Sequence, residues 1–68
     1  MKVDIGERMK YWRKEKGMTQ DSLAKKADIP YTTIAKIESK IVTNPRMDTL
    51  IKIAKGLTIN IEDLIKEK

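Results

Sequence analysis

Residues 18–38 read Met18-Thr19-Gln20-Asp21-Ser22-Leu23-Ala24-Lys25-Lys26-Ala27-Asp28-Ile29-Pro30-Tyr31-Thr32-Thr33-Ile34-Ala35-Lys36-Ile37-Glu38. The pattern predicts two short amphipathic helices joined by a tight turn at 28–30. Thr19 is a good N-cap, because its hydroxyl oxygen accepts from an amide that the first helical turn leaves unpaired. Asp21 then complements the positive end of the helix dipole. Leu23, Ala24 and Ala27 give this helix a narrow inner face, and Ala24 lets another helix approach closely. Tyr31 to Glu38 supplies about two further turns. There Ile34 and Ile37 face inward, which leaves Tyr31, Thr32, Ala35 and Lys36 pointing outward or sideways.

Upstream, Ile5, Met9 and Trp12 follow helical spacing, and Gly17 is placed to end that helix. Trp12 lies on the apolar stripe and reads as a core residue rather than a stacking platform. Residues 39–46 read as a loop, since Pro45 has no amide hydrogen and Asn44 favours turns. A fourth helix follows, with Met47, Leu50, Ile51 and Ala54 at i, i+3, i+4 and i+7 as its inner face. Asn60 is placed to cap a short fifth helix with Asp63 at its third position, and Ile59 and Leu64 are spaced for a hydrophobic staple. Strand alternation, repeats and low-complexity tracts are absent from the sequence. The expected architecture is all-α: five short helices around one core, in one domain spanning 1–68.

Sixty-eight residues sit near the size at which one core is only marginally sufficient. The chain holds no cysteine, so no disulfide or thiolate site staples it, which agrees with a reducing compartment. It holds no histidine either, which removes the commonest general base and metal ligand. Carboxylate pairs such as Glu62-Asp63 read as helix-start charges, and no nucleophile–base set, phosphate-cradling loop or metal cluster can be assembled. The expectation is a non-enzymatic chain without cofactor or metal. No apolar run reaches the roughly 18 residues of a membrane span and no signal-peptide core follows Met1, so a soluble, cytoplasmic location is expected.

The net charge of +5 is unevenly placed. Residues 1–46 carry eleven basic and six acidic residues, whereas 47–68 carry four of each. The whole excess lies in the half that contains the two central helices. A basic surface of this kind suits a polyanion, through counterion release when phosphates are neutralised. Solvated helix faces account for the same lysines equally well on composition alone.

Two short helices around a tight turn are the layout of a helix-turn-helix, whose second helix enters the DNA major groove. The chain resembles the lambda-repressor-like (Cro/repressor, xenobiotic-response-element type) helix-turn-helix family over roughly residues 5–65. The resemblance is carried by Ile5-Gly6-Glu7-Arg8-Met9, Arg13 with Gly17-Met18-Thr19-Gln20, Leu23-Ala24, Ile34 with Ile37-Glu38, Asp48-Thr49-Leu50 and Ile59-Asn60-Ile61-Glu62-Asp63-Leu64. Thr43-Asn44-Pro45, after the second helix of the motif, looks most like the domain of sporulation and biofilm repressors. The ordered combination is specific for the fold and much less so for any one biological role.

The resemblance implies roles residue by residue. The family presents the start of its second helix to the DNA backbone, here Thr19-Gln20, where amides and dipole favour a phosphate. Thr19 serves as cap and backbone contact together, while Gln20 braces a recognition-helix side chain or touches a base. Tyr31, Thr32 and Lys36 match positions that reach base edges, with Tyr31 alternatively packing over the helix start. Thr33 falls near the backbone. Lys40, Thr43, Asn44 and Arg46 lie in the loop that the family runs along the phosphate strand. Arg13 and Glu38 match a partly buried ion pair that ties the first helix to the third.

Three departures from the family pattern stand out. Asp28 replaces the usual left-handed glycine of the turn, a region aspartate tolerates better than most residues. Pro30 replaces the usual serine cap of the recognition helix. Gly56 and Thr58 stand where alanine and glycine are usual, and Gly56 is placed to end the fourth helix early.

The function this implies is sequence-specific binding of double-stranded DNA by a homodimer on a two-fold operator, with repression by occlusion, since no effector domain is recognisable. The competing reading is an antitoxin or adaptor whose main partner is another protein. Its feature would be an exposed apolar patch, with Ile41, Val42, Ile59 and Ile61 as candidates. The same residues equally suit a homodimer face or the core.

Overall fold

The computed structural model describes residues 4–66, so the first three and last two residues of the expected 1–68 unit, Lys2 among them, lie outside the described residues. Among the described residues five helices follow one another: α1 (Ile5–Glu15), α2 (Gln20–Ala27), α3 (Tyr31–Glu38), α4 (Met47–Leu57) and α5 (Ile61–Ile65). No described residue lies in a strand, and no helix is long and apolar enough to cross a membrane.

Local chemistry explains where the helices begin and end. Asp4 caps α1, its Oδ1 accepting from the Glu7 amide at 3.1 Å. Thr19 caps α2, and Ser22 completes a reciprocal box: Thr19 Oγ1 accepts from the Ser22 amide at 3.0 Å, and Ser22 Oγ from the Thr19 amide at 2.9 Å. Serine at this position is shorter than the usual glutamate or glutamine, so the sequence displays only half the motif. Pro30 occupies the cap position of α3 without a side-chain bond, and its carbonyl accepts from the Thr33 amide at 3.0 Å.

The α2–α3 and α4–α5 turns share one backbone solution. Asp28 (φ 58°) and Thr58 (φ 59°) are left-handed. The isoleucine after each, Ile29 or Ile59, donates its amide back to the carbonyl of Ala24 or Ala54, at 3.1 and 3.0 Å. This returns the chain after one tight turn and drops an isoleucine onto the core both times.

Met9, Leu23, Ile34, Ile37, Ile53, Leu57 and Leu64 have essentially no solvent exposure and form the centre of the core. Each contributes about 1.5–3 kcal/mol relative to leaving it in water. Leu23, Ala24 and Ala27 are all buried, and Trp12 packs half-buried against the cluster. Ile59 packs on the same cluster that contains Leu64.

Three expectations need correction. The inner face of α4 is Leu50, Ile53, Ala54 and Leu57, whereas Met47 and Ile51 remain 58% and 42% exposed. Two apolar rows compete on this helix, and packing against α2 selects the second. Gly56 does not end α4, which continues through Leu57 to the left-handed Thr58. Gly56 is buried instead, and a Cβ there would lie 3.0 Å from the Ala27 Cβ and amide nitrogen, so its lack of a side chain sets the α2–α4 approach. Asn60 sits at the cap position of α5, but its side chain makes no capping bond; its backbone carbonyl accepts from the Asp63 amide at 3.0 Å.

Candidate nucleic-acid interface

The sequence of α3 allots its residues to two surfaces. Ile34 and Ile37 anchor it in the core, Thr32 and Lys36 are exposed, and Thr33 and Ala35 lie at the boundary. Tyr31 is half exposed at the helix start and lines a shallow groove with Pro30, Asp28 and the Asp21–Lys25 turn of α2. Lys36 enters no ion pair among the described residues, so its charge is available to an external anion.

Behind this face a buried polar knot fixes α3. Arg13 Nε and Nη2 donate to Glu38 Oε2 and Oε1 at 2.8 and 3.0 Å, and Arg13 Nη1 donates to the Met18 carbonyl at 2.9 Å. Gln20 Nε2 adds a bond to Glu38 Oε1 at 3.0 Å. The Glu38 side chain is 3% exposed and that of Arg13 13%, so the fork-on-fork pair is shielded from water. Of the two roles open to Gln20, the bond in hand is the bracing one. It couples the start of α2 to the end of α3.

The loop residues divide. Thr43, Asn44 and Arg46 are exposed, and Arg46 Nε makes only a loose local pair with Asp48 at 3.5 Å. Lys40 is tied elsewhere. It is left-handed (φ 68°), and its Nζ lies 3.0 Å from Asp4 Oδ2 and 3.6 Å from Glu7 Oε2 at the start of α1. The Glu7 amide, and after it the Lys40 ammonium, hold the Asp4 carboxyl below its ordinary range. Asp4 and Glu7 in turn raise the Lys40 ammonium above its own. Nothing periodic relates Asp4 and Glu7 to residue 40, so the sequence alone assigns them no site role.

A second tie runs from α1 to α5. Arg8 Nη2 and Trp12 Nε1 donate to the Asp63 carbonyl at 2.8 and 3.3 Å, and the Arg8 guanidinium stacks 5.5 Å from the Tyr11 ring centre. Of the apolar-patch candidates, Ile41 is 73% exposed, whereas Val42, Ile59 and Ile61 pack against the core.

Comparison with known proteins gives a consistent result. A helix-turn-helix family model matches residues 9–64. The HTH-type transcriptional regulator SinR of Bacillus subtilis (strain 168) is 38% identical over 64 residues, which are 94% of this chain and 58% of the relative. The chain thus spans less than two thirds of that relative's length. The solved N-terminal DNA-binding domain of SinR from Bacillus subtilis is similar with a TM-score of 0.88 at 38% identity, covering 94% of this chain and 93% of that one. SinR, the master regulator for biofilm formation, has also been solved in complex with DNA; that chain is similar with a TM-score of 0.86 at 35% identity, covering 91% of this chain and 98% of that one.

Proposed function

Because this chain belongs to the helix-turn-helix family, we propose that it binds double-stranded DNA as a transcriptional regulator and places α3 in the major groove. The observation that carries this reading is the two-sided α3. Ile34 and Ile37 lock it to the core, and Thr32 is left on its open face with Lys36, which enters no ion pair among the described residues. Lysine donates to guanine O6 and N7, and threonine meets a hydrogen-bonding edge or a thymine methyl. Tyr31 joins them at the helix start. Thr19, Thr33, Thr43, Asn44 and Arg46 line the phosphate strand and set register. Gln20 acts chiefly through Glu38, keeping α2 and α3 at a fixed angle.

In this reading the protein acts as a homodimer on a two-fold operator, its recognition helices ~34 Å apart along one turn of DNA. It represses by occupying the site, and no catalytic step is assigned to it. Titration of a labelled duplex against the protein at several salt concentrations tests the reading. Each neutralised phosphate contributes about −0.9 to the slope of log affinity against log salt. A slope of several units is expected. An affinity indifferent to salt would overturn the proposal and favour a protein partner.

A further inference from the structure

The loop after α3 carries two cations, and they are treated differently. Arg46 is 86% exposed with one loose neighbour, but Lys40 is clamped by two carboxylates from the far end of the chain. Its backbone adopts the left-handed region, which lysine enters at a cost and which glycine or asparagine would occupy more easily. The clamp borders the same cleft as Thr43 and Asn44, the loop residues assigned above to the phosphate strand.

We infer that Asp4 and Glu7 are positioning residues for DNA binding: they hold the Lys40 ammonium in an intramolecular pair that a DNA phosphate must displace. The inference rests on the DNA-binding reading above. The free protein already satisfies Lys40 with carboxylates, which offer the ammonium the same charge and acceptor geometry as a phosphate oxygen. On binding, Lys40 exchanges one anion for another, and Asp4 and Glu7 are left unpaired beside the phosphate backbone. Asp4 and Glu7 therefore reduce the sequence-independent affinity that Lys40 would otherwise contribute. That leaves a larger share of discrimination to the base-facing side chains of α3.

The two charges can be removed without removing the α1 cap. Asp4 caps α1 through Oδ1, and asparagine offers the same oxygen, so Asp4→Asn removes the charge while keeping the cap. Glu7→Gln removes the second charge with little change in size.

The test is a titration of one fixed duplex of arbitrary sequence, about two helical turns long, against the wild type and the Asp4→Asn/Glu7→Gln double variant. Each is also measured with Lys40→Met and with Lys40→Arg, over a range of salt, after circular dichroism has verified equal helix content. The expected result is binding about two- to five-fold tighter in the double variant, with the gain largest at low salt, where the competing carboxylates are least screened. The gain should be clearly smaller in the Lys40→Met background, where only repulsion by the unpaired carboxylates is relieved, and Lys40→Arg should retain it in full. An equal gain with Lys40→Met would mean plain repulsion by two carboxylates and would overturn the inference. No gain at all would overturn it too, making Lys40 a structural strap only. If the wild type itself bound no duplex, the underlying reading would fall first, visibly in the wild-type titration alone.

Discussion

Arg13 and Glu38 grip each other through two parallel bonds of 2.8 and 3.0 Å, with the Arg13 fork also holding the Met18 carbonyl and Glu38 also holding Gln20. The pair thereby gathers α1, the α1–α2 turn, α2 and the end of α3: the guanidinium holds the turn, and the carboxylate holds α2. Because both partners are largely shielded, removing either leaves an uncompensated charge in the interior. Arg13→Ala should lower unfolding free energy by ~3–5 kcal/mol, read by chemical denaturation. A loss of only a few tenths would mean that the pair is a surface contact in energetic terms.

Gly6 lies where α1 crosses the end of α3. A Cβ built on it would stand 2.5 Å from the Ile37 carbonyl oxygen, which is backbone and has nowhere to retreat. Alanine gains up to ~1 kcal/mol in helix propensity, but overpacking costs ~1–3 kcal/mol. Gly6→Ala should therefore destabilise the protein, by up to about 2–3 kcal/mol net, because the clash is with backbone. A rise in Tm would show that the helices slide apart freely.

Thr58 presents the opposite case. It is exposed and left-handed (φ 59°), a conformation disfavoured for a β-branched residue. Thr58→Gly should stabilise the fold by about 1 kcal/mol, since glycine enters that region without steric penalty. Differential scanning calorimetry of the single variant decides it; a lower Tm would place the strain elsewhere.

The Asp4–Lys40 pair predicts a pH window with a definite sign. The Asp4 carboxyl is lowered, so its contribution is full above the ordinary carboxylate range and is lost as pH falls through the lowered value. The Lys40 ammonium is raised, so its contribution is full below the ordinary lysine range and is lost as pH rises through the raised value. The denaturation midpoints of wild type and Lys40→Met should differ most near neutrality and converge towards strong acid. A constant difference across that range would exclude the ion pair as its source.

The sequence made the helices and much of the core legible, because caps and apolar spacing are local signals. Thr19, Gly17 and the Leu23, Ile34 and Ile37 positions were readable for that reason. The buried row of α4 was not: Met47 and Ile51 fit helical spacing as well as Ile53 and Leu57 do, and only the neighbouring helix chooses between them. Gly56 reads as a helix stop until Ala27 is seen against it. At the candidate interface, the outward residues of α3 follow from its inward ones. The engagement of Lys40 does not, because Asp4 and Glu7 lie over thirty positions away and nothing periodic links them.

The proposed function turns on the open face of α3 reading DNA sequence. The most direct measurement is selection from a randomised duplex library near physiological salt, with a Lys36→Ala/Thr32→Ala variant run in parallel. The wild type should enrich a two-fold symmetric motif, and the variant should lose or change it while keeping salt-dependent affinity for random duplex. Enrichment of the same motif by both proteins, or of none by either, would contradict the proposed function.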